Sequence, residues 1–339
     1  MLHFKNISLK EQNTFKINCK ADYFFLVHTE REAIEFFRET DLWKKPLLII
    51  GQGSNILFTS HFNGTVLRSA ISGISIVKQD DENVIISAGS GIEWDELVEW
   101  TVNKGYHGLE NLSLIPGLAG AAAVQNIGAY GAEVQDSIVK VHAINTEDGS
   151  KKIFKNYECG FEYRNSVFKK QLKGKYFITR VYFRLKKTPS YKLDYGSLKE
   201  EVYKLGGPSL INVRNAVINI RRKKLPDPAV IGNAGSFFRN PVVANDLVEN
   251  LMKEYPEMPV FDDPSGGRKI AAGWMIELCG WKGKRIGNAG VYDKQALVLV
   301  NYGKASGWDI YKLSERIRES VLKRFGINLE REVEIIGPT

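Results

Sequence analysis

The stretch Ile115-Pro116-Gly117-Leu118-Ala119-Gly120-Ala121-Ala122-Ala123-Val124-Gln125-Asn126-Ile127-Gly128-Ala129-Tyr130-Gly131 constrains the fold more than any other part of the chain. Ala119 to Ala123 is an unbroken run of small residues, with glycines at 117, 120, 128 and 131. Such residues let the backbone lie close against another element or against a large flat ligand. Tight packing of Gly and Ala between helices explains the small residues, but not a Gln-Asn pair and a Tyr in the same stretch. Ligand contact is therefore favoured.

A second constellation lies upstream. Leu47-Leu48-Ile49-Ile50 reads as a buried strand that delivers the chain into Gly51-Gln52-Gly53-Ser54-Asn55. Two glycines let the backbone approach a diphosphate, and successive N–H groups can form an anion-binding nest. The G-K-[ST] ending of a P-loop is missing. Alone, the motif is equally well a plain strand-to-turn connection. With the later glycine-rich stretch, it points to one long ligand bridging both.

The chain has 339 residues, room for two or three domains, and its 43% hydrophobic and 25% charged residues are those of a packed, water-soluble protein. A net charge of +8 is spread through both halves, which argues against nucleic-acid binding. The densest basic cluster, Arg221-Arg222-Lys223-Lys224, runs into Leu225-Pro226-Asp227-Pro228 and reads as an anion site at the end of an element as much as a phosphate rail. Cys19, Cys159 and Cys279 form no C-x-x-C pair, and the five histidines no H-x-x-x-H or H-x-H pair. No disulfide framework and no metal site is expected, and a reducing cytoplasm fits. Neither an export signal nor a membrane-spanning apolar run is seen.

The remaining pattern is α+β. Strands are expected over 64–77, 84–88, 138–145, 152–154, 176–185, 296–300 and 329–336, the hairpin 138–154 turning at Asp148-Gly149. Helices are expected over 93–103, 198–205, 245–255 and 308–325, the last stopped by Gly326. The segment 188–218 reads as an excursion before a new domain.

The motifs Gly51-Gln52-Gly53-Ser54-Asn55-Ile56-Leu57 and 115–131 resemble those of the UDP-N-acetylenolpyruvoylglucosamine reductase family. The likeness continues through Tyr163-Arg164-Asn165-Ser166-Val167-Phe168, Arg221-Arg222-x-Lys224-Leu225-Pro226-Asp227-Pro228, Gly235-Ser236-Phe237-Phe238-x-Asn240-Pro241 and Leu329-Glu330-x-Glu332-Val333, spanning nearly the whole chain. The resemblance implies a two-part FAD-binding unit of the vanillyl-alcohol-oxidase type plus a C-terminal α+β substrate-binding domain. The expected divisions are 1–66 (joined by a C-terminal strand at 329–339), 67–218 with a tyrosine-loop insertion at about 188–212, and 219–328.

It implies non-covalent FAD and NADPH as co-substrate, in a ping-pong reduction of a UDP-sugar, UDP-N-acetyl-3-O-(1-carboxyvinyl)-glucosamine, to UDP-N-acetylmuramate for peptidoglycan. A monomer is expected, without nucleic-acid partner or membrane insertion. The implied cofactor contacts are Gly51, Gln52, Gly53, Ser54, Asn55, Ile56, Ile115, Pro116, Gly117, Gly120, Ala121, Gln125, Asn126, Gly128, Ala129 and Gly131. The implied catalytic residues are Ser236 as proton donor, Arg164 as carboxylate clamp and Glu332 as its polarising partner. Tyr130, Tyr163, Arg164, Tyr195, Lys224, Asn240 and Gln295 are the implied substrate contacts. Singly, Ser236 is a turn serine, Arg164 a surface arginine and Glu332 part of a charge run; their joint match to the family pattern favours chemistry. An FAD oxidase of a small alcohol or sugar shares the cofactor motifs but has no use for these three together. No histidine adjoins the 51–57 motif, and His61 is the nearest candidate for covalent attachment. Acid precipitation is expected to release all the yellow colour into the supernatant; colour held in the pellet would show a covalent link.

Overall fold

Alternating apolar residues over Asn83–Gly89, Ile138–Asn145 and Tyr176–Lys186 build an antiparallel sheet of five strands, with Lys151–Lys155 at one edge and Ile74–Gln79 at the other. Its register sets buried Val181 opposite Val141 and Ala88. Trp94, Leu97, Val98 and Val102 of the helix Trp94–Asn103 pack on this sheet with Ala119, Ala122 and Ala123 of the helix Ala119–Val124. The expected hairpin at Asp148-Gly149 is present, Gly149 having φ 69°.

The structure, a computed structural model, describes residues 1–39, 46–263 and 266–339. The chain divides into two units: 1–7, 21–52 and 63–222 form the first, and 8–20, 53–62 and 223–339 the second. Besides the five-stranded sheet, the first unit holds a sheet ordered Leu2–Ser8, Lys20–Val27, Phe62–Ser69, Leu47–Ile50, whose last pair is parallel. Leu47–Ile50 is thus an outer, mostly half-buried strand and not the buried one expected. The helix Glu30–Arg38, capped by Thr29, buries Ala33, Phe36 and Phe37 against Phe25, Val27, Leu67, Ile144 and Phe177.

Only part of the 188–218 excursion is loop. The expected helix is present at Leu198–Lys204, but the helix Leu210–Lys224 had not been foreseen. Leu198, Val202, Val213, Ala216, Val217 and Ile220 form a small core between them, against which Tyr130, Tyr191 and Leu193 pack. The basic cluster 221–224 is the C-terminal turn of this helix, where the carbonyl ends of the backbone dipoles favour cations. Its position explains the charges without a nucleic acid.

In the second unit, Gly232–Ser236, Val298–Asn301, Ala289–Val291 and Arg285–Ile286 form an antiparallel sheet in that order. The closing strand is Glu334–Ile336, shorter than the 329–336 expected, and pairs in parallel with Ile56–Phe58. The long helix Gly307–Phe325 carries a capping box between Ser306 and Asp309 and ends at Gly326 in left-handed conformation. No described helix is long and apolar enough to cross a membrane. Ser306→Ala removes the cap and is expected to cost about 1 kcal/mol, a fall of roughly 2–4 °C in Tm measured by calorimetry.

Candidate active site

In the first unit the two glycine-bearing segments lie side by side. The Gly117 N–H donates to Gln52 Oε1 at 2.9 Å. A Cβ built on Gly51 would stand 3.1 Å from Ala121 Cβ. Ala119, Gly120, Ala122 and Ala123 are buried, and a Cβ on Gly120 would lie 2.7 Å from Ser90 Cβ, so helix packing accounts for these residues, Gly120 included. Ile115, Ala121, Gln125, Gly128 and Ala129 are half-buried, with Pro116 exposed. Asn126 is fully buried: its Nδ2 donates to Glu133 Oε2 and the Glu162 carbonyl at 2.9 Å, and its Oδ1 accepts from Gln135 N–H at 3.1 Å. Its side chain staples the loop.

The loop that enters this stretch is braced by charge. Leu114 has φ 59°, its N–H donates to Asp95 Oδ1 and its carbonyl accepts from Arg221 Nε at 3.2 Å. Arg214, 7% exposed, grips both oxygens of Asp95 at 2.7 and 2.9 Å. Burial pushes the Asp95 carboxyl up, but the Arg214 and Leu114 hydrogen bonds and the neighbouring arginine charges hold it below the usual aspartate range. The Arg221 guanidinium is lowered by burial, with Tyr130 and Asp95 opposing and Arg164 adding to the shift.

Tyr163 and Arg164 are the central residues of a tight turn closed by Glu162 N–H to the Asn165 carbonyl (3.1 Å) and Asn165 N–H to the Glu162 carbonyl (3.0 Å). Arg164 has φ 55°, its Nη2 donates to the Gly128 carbonyl, and it lies 5.1 Å from the centre of the Tyr163 ring. A Cβ on Gly128 would lie 2.6 Å from Arg164 Nη1, so a side chain here would push the guanidinium aside. Tyr130 and Gly131, at φ 49° and 77°, turn the small hairpin between Gly128–Ala129 and Ala132–Glu133 in the type I′ manner. The Tyr130 ring meets that of Tyr195 edge-on at 6.1 Å. Burial pushes the Tyr130 hydroxyl up, so it stays a donor at neutral pH.

In the second unit, Ser236 and Glu332 sit on neighbouring backbones. Glu332 N–H donates to the Phe237 carbonyl at 2.8 Å, and Arg239 N–H to the Glu330 carbonyl at 2.9 Å. Asn55 Nδ2 donates to the Glu332 carbonyl at 3.1 Å, while Glu334 N–H donates to the Asn55 carbonyl at 3.0 Å. A register shift between Asn233 and Ser236 marks a bulge, held by Asn233 Oδ1 accepting from Gly235 N–H at 3.0 Å. Phe237 and Phe238, both buried, anchor Ser236 from the other side. A Cβ on Gly53 would strike the Gln12 carbonyl, so close chain packing accounts for this glycine too. Ser54 and Ile56 are half-buried. Asn240 Oδ1 accepts from Ala272 N–H at 3.0 Å, Gln295 Oε1 from Leu297 N–H at 3.4 Å, and Lys224 is exposed. His61 Nδ1 accepts from Lys20 N–H at 3.0 Å.

Several site residues escaped sequence reasoning. Asp95 and Arg214 are too far apart in sequence to advertise their pairing. Arg214 and Arg221 lie on the overlooked helix, whose apolar Leu210, Val213, Val217 and Ile220 already showed helical spacing. Asn233 carried no signal at all.

A flat dinucleotide fits this chemistry. Gly51, Ala121, Gly128 and Ala129 present small, uncharged, half-exposed faces, flanked by the amides of Gln52 and Gln125. Residues 21–152 match the family model described as an FAD binding domain. Residues 227–336 match that of the UDP-N-acetylenolpyruvoylglucosamine reductase C-terminal domain. The chain is 47% identical over 329 residues to the reductase of that name from Bacteroides fragilis, covering 97% of this chain and 98% of that one. It is 44% identical over 330 residues to the one from Pseudomonas putida, covering 97% of each. The crystal structure of UDP-N-acetylenolpyruvylglucosamine reductase from Thermus caldophilus superposes with a TM-score of 0.70 at 24% identity, covering 98% of both chains. The chain belongs to the UDP-N-acetylenolpyruvoylglucosamine reductase family.

Asp95→Asn takes from the buried Arg214 its bidentate partner and leaves only the exposed Glu99 at 3.8 Å, an expected loss of about 3 kcal/mol at neutral pH. Because the folded carboxyl is held below its unfolded value, its contribution is present above about pH 4 and is lost as pH falls through the folded value. The Tm gap between parent and variant is therefore expected to narrow below about pH 4; a gap that widened with acid would contradict the assignment.

Proposed function

We propose that this protein reduces UDP-N-acetyl-3-O-(1-carboxyvinyl)-glucosamine to UDP-N-acetylmuramate, a peptidoglycan precursor, with NADPH as electron donor and tightly but non-covalently bound FAD. Bound FAD would supply hydride-transfer chemistry, accepting reducing equivalents from NADPH and passing them to the sugar nucleotide in a second half-reaction. Gly51, Gln52, Ala121, Gln125, Gly128 and Ala129, with the backbone of the 115–131 segment, would hold the FAD. The observation that carries the proposal is the bonding of Phe237, the residue after Ser236, to Glu332 and of Glu332 to the Asn55 side chain, in a chain of this family.

The acceptor is an enol ether carrying a carboxylate. Hydride arriving at its CH₂ carbon leaves negative charge on the adjacent carbon and its carboxylate, and one proton completes the new C–H bond. Arg164 meets that charge with a planar fork of donors, and its left-handed backbone is the kind of strain found where a side chain must be aimed. Glu332 is the polarising partner of the carboxylate. Ser236 donates the proton from its hydroxyl, and its place just after a bulge supports the role. Tyr195 and Lys224 bind the diphosphate; Tyr130, Tyr163, Asn240 and Gln295 bind the rest of the sugar nucleotide. Within this reading the two sheets of the first unit correspond to the two expected flavin subdomains.

Ser236→Ala is expected to leave flavin reduction by NADPH nearly intact and to slow reoxidation by the sugar nucleotide by about 10²–10⁴. Stopped-flow absorbance separates the half-reactions, and equal damage to both would contradict the role.

A further inference from the structure

We propose that Asn111 is a positioning residue, holding the 188–197 loop and the Tyr130 turn together so that Tyr195 is set for substrate. Asn111 lies in the single turn Glu110–Leu112 and is 3% exposed. Its Nδ2 donates one hydrogen to the Tyr130 carbonyl and the other to the Lys192 carbonyl, both at 2.8 Å. The amide orientation is forced, because a flipped side chain would aim Oδ1 at two carbonyl oxygens. One buried group thereby ties two segments remote in sequence.

Both tied segments bear on Tyr195. Tyr130 holds a left-handed backbone at φ 49°, and its ring is the edge-on partner of the Tyr195 ring. A Cβ on the next residue, Gly131, would lie 3.6 Å from Tyr195 Cβ. On the loop side, Lys192 stands three residues before Tyr195, which is itself 56% exposed. Tyr191 and Leu193 also pack on the core of the helices Leu198–Lys204 and Leu210–Lys224, a contact without direction, and two further anchors are weaker. Lys192 Nζ pairs with Asp136 at 2.7 Å between exposed side chains, and Tyr191 meets His107 at 5.4 Å between ring centres. A buried amide spending both hydrogens on carbonyls is the contact best suited to fix where the loop returns.

Hydrogen exchange on the FAD-loaded protein tests the clip without relying on activity. In Asn111→Ala, the amides of 188–197 are expected to exchange about tenfold faster, with the helix Ala119–Val124 unchanged, and Asn111→Ser, which keeps one donor, to fall between. Unchanged exchange, or loss of bound flavin and of the folded transition in both variants, overturns the proposal. The kinetic arm rests on the reading of Tyr195 as a substrate residue. There, Asn111→Ala is expected to raise KM for the sugar nucleotide about tenfold, with flavin reduction by NADPH within about twofold, and to add nothing to Tyr195→Ala in the double variant. Additive effects overturn the coupling. If Tyr195→Ala alone left KM unchanged, the substrate reading of the loop would fall, while faster exchange in Asn111→Ala would still establish the clip.

Discussion

Leu114, Asn126, Tyr130 and Arg164, none of them glycine, hold left-handed backbone within the first unit, and the site depends on the contacts that keep them there. Each such residue costs about 1–3 kcal/mol, so together they approach the net stability of an ordinary domain. Strain of that size persists only where neighbours over-determine the conformation. Leu114 is caught between Asp95 and Arg221; Asn126 is pinned by its own amide. Tyr130 is held through its carbonyl by Asn111, and Arg164 by a closed turn and the Gly128 carbonyl. On the proposed reading, Arg164 is also the clamp on the substrate carboxylate.

The second unit reaches its goal by a different device. Ser236 and Glu332 owe their proximity to backbone hydrogen bonds between the 237–239 and 330–333 segments, with Asn55 bonded into the same cluster. Backbone pairing fixes position more tightly than side-chain contact, since it leaves few rotatable bonds between anchor and functional atom. The buried Phe237 and Phe238 and the Asn233-held bulge then limit where the Ser236 hydroxyl can point.

Much of this was legible in the residues. The hairpin at Asp148-Gly149, the helix ended by Gly326 and the nearness of the 51–52 and 115–121 segments follow from turn chemistry, capping and small side chains. The family was visible because its motifs recur in order along the chain. Other features were hidden for physical reasons. The helix Leu210–Lys224 was obscured by the Gly206-Gly207 and Pro208 breaks before it, and by a basic end that drew attention to anions instead of to the helix dipole. Gly53 and Gly120 were assigned to the cofactor, yet their size answers to Gln12 and Ser90, and sequence cannot say which neighbour a glycine admits. Long-range polar contacts such as Asp95 with Arg214, or Asn111 with Lys192, depend on tertiary placement that no local pattern encodes.

The central claim is that this flavin-binding chain passes reducing equivalents to an enolpyruvyl sugar nucleotide and not to oxygen. The direct measurement is the visible spectrum of the FAD-loaded protein, photoreduced without oxygen and then titrated with UDP-N-acetylenolpyruvylglucosamine. The yellow oxidised spectrum should return in proportion to the sugar nucleotide added, one equivalent restoring it fully. A protein that binds no FAD, or whose reduced flavin ignores the sugar nucleotide and is rapidly reoxidised by air, would contradict the account.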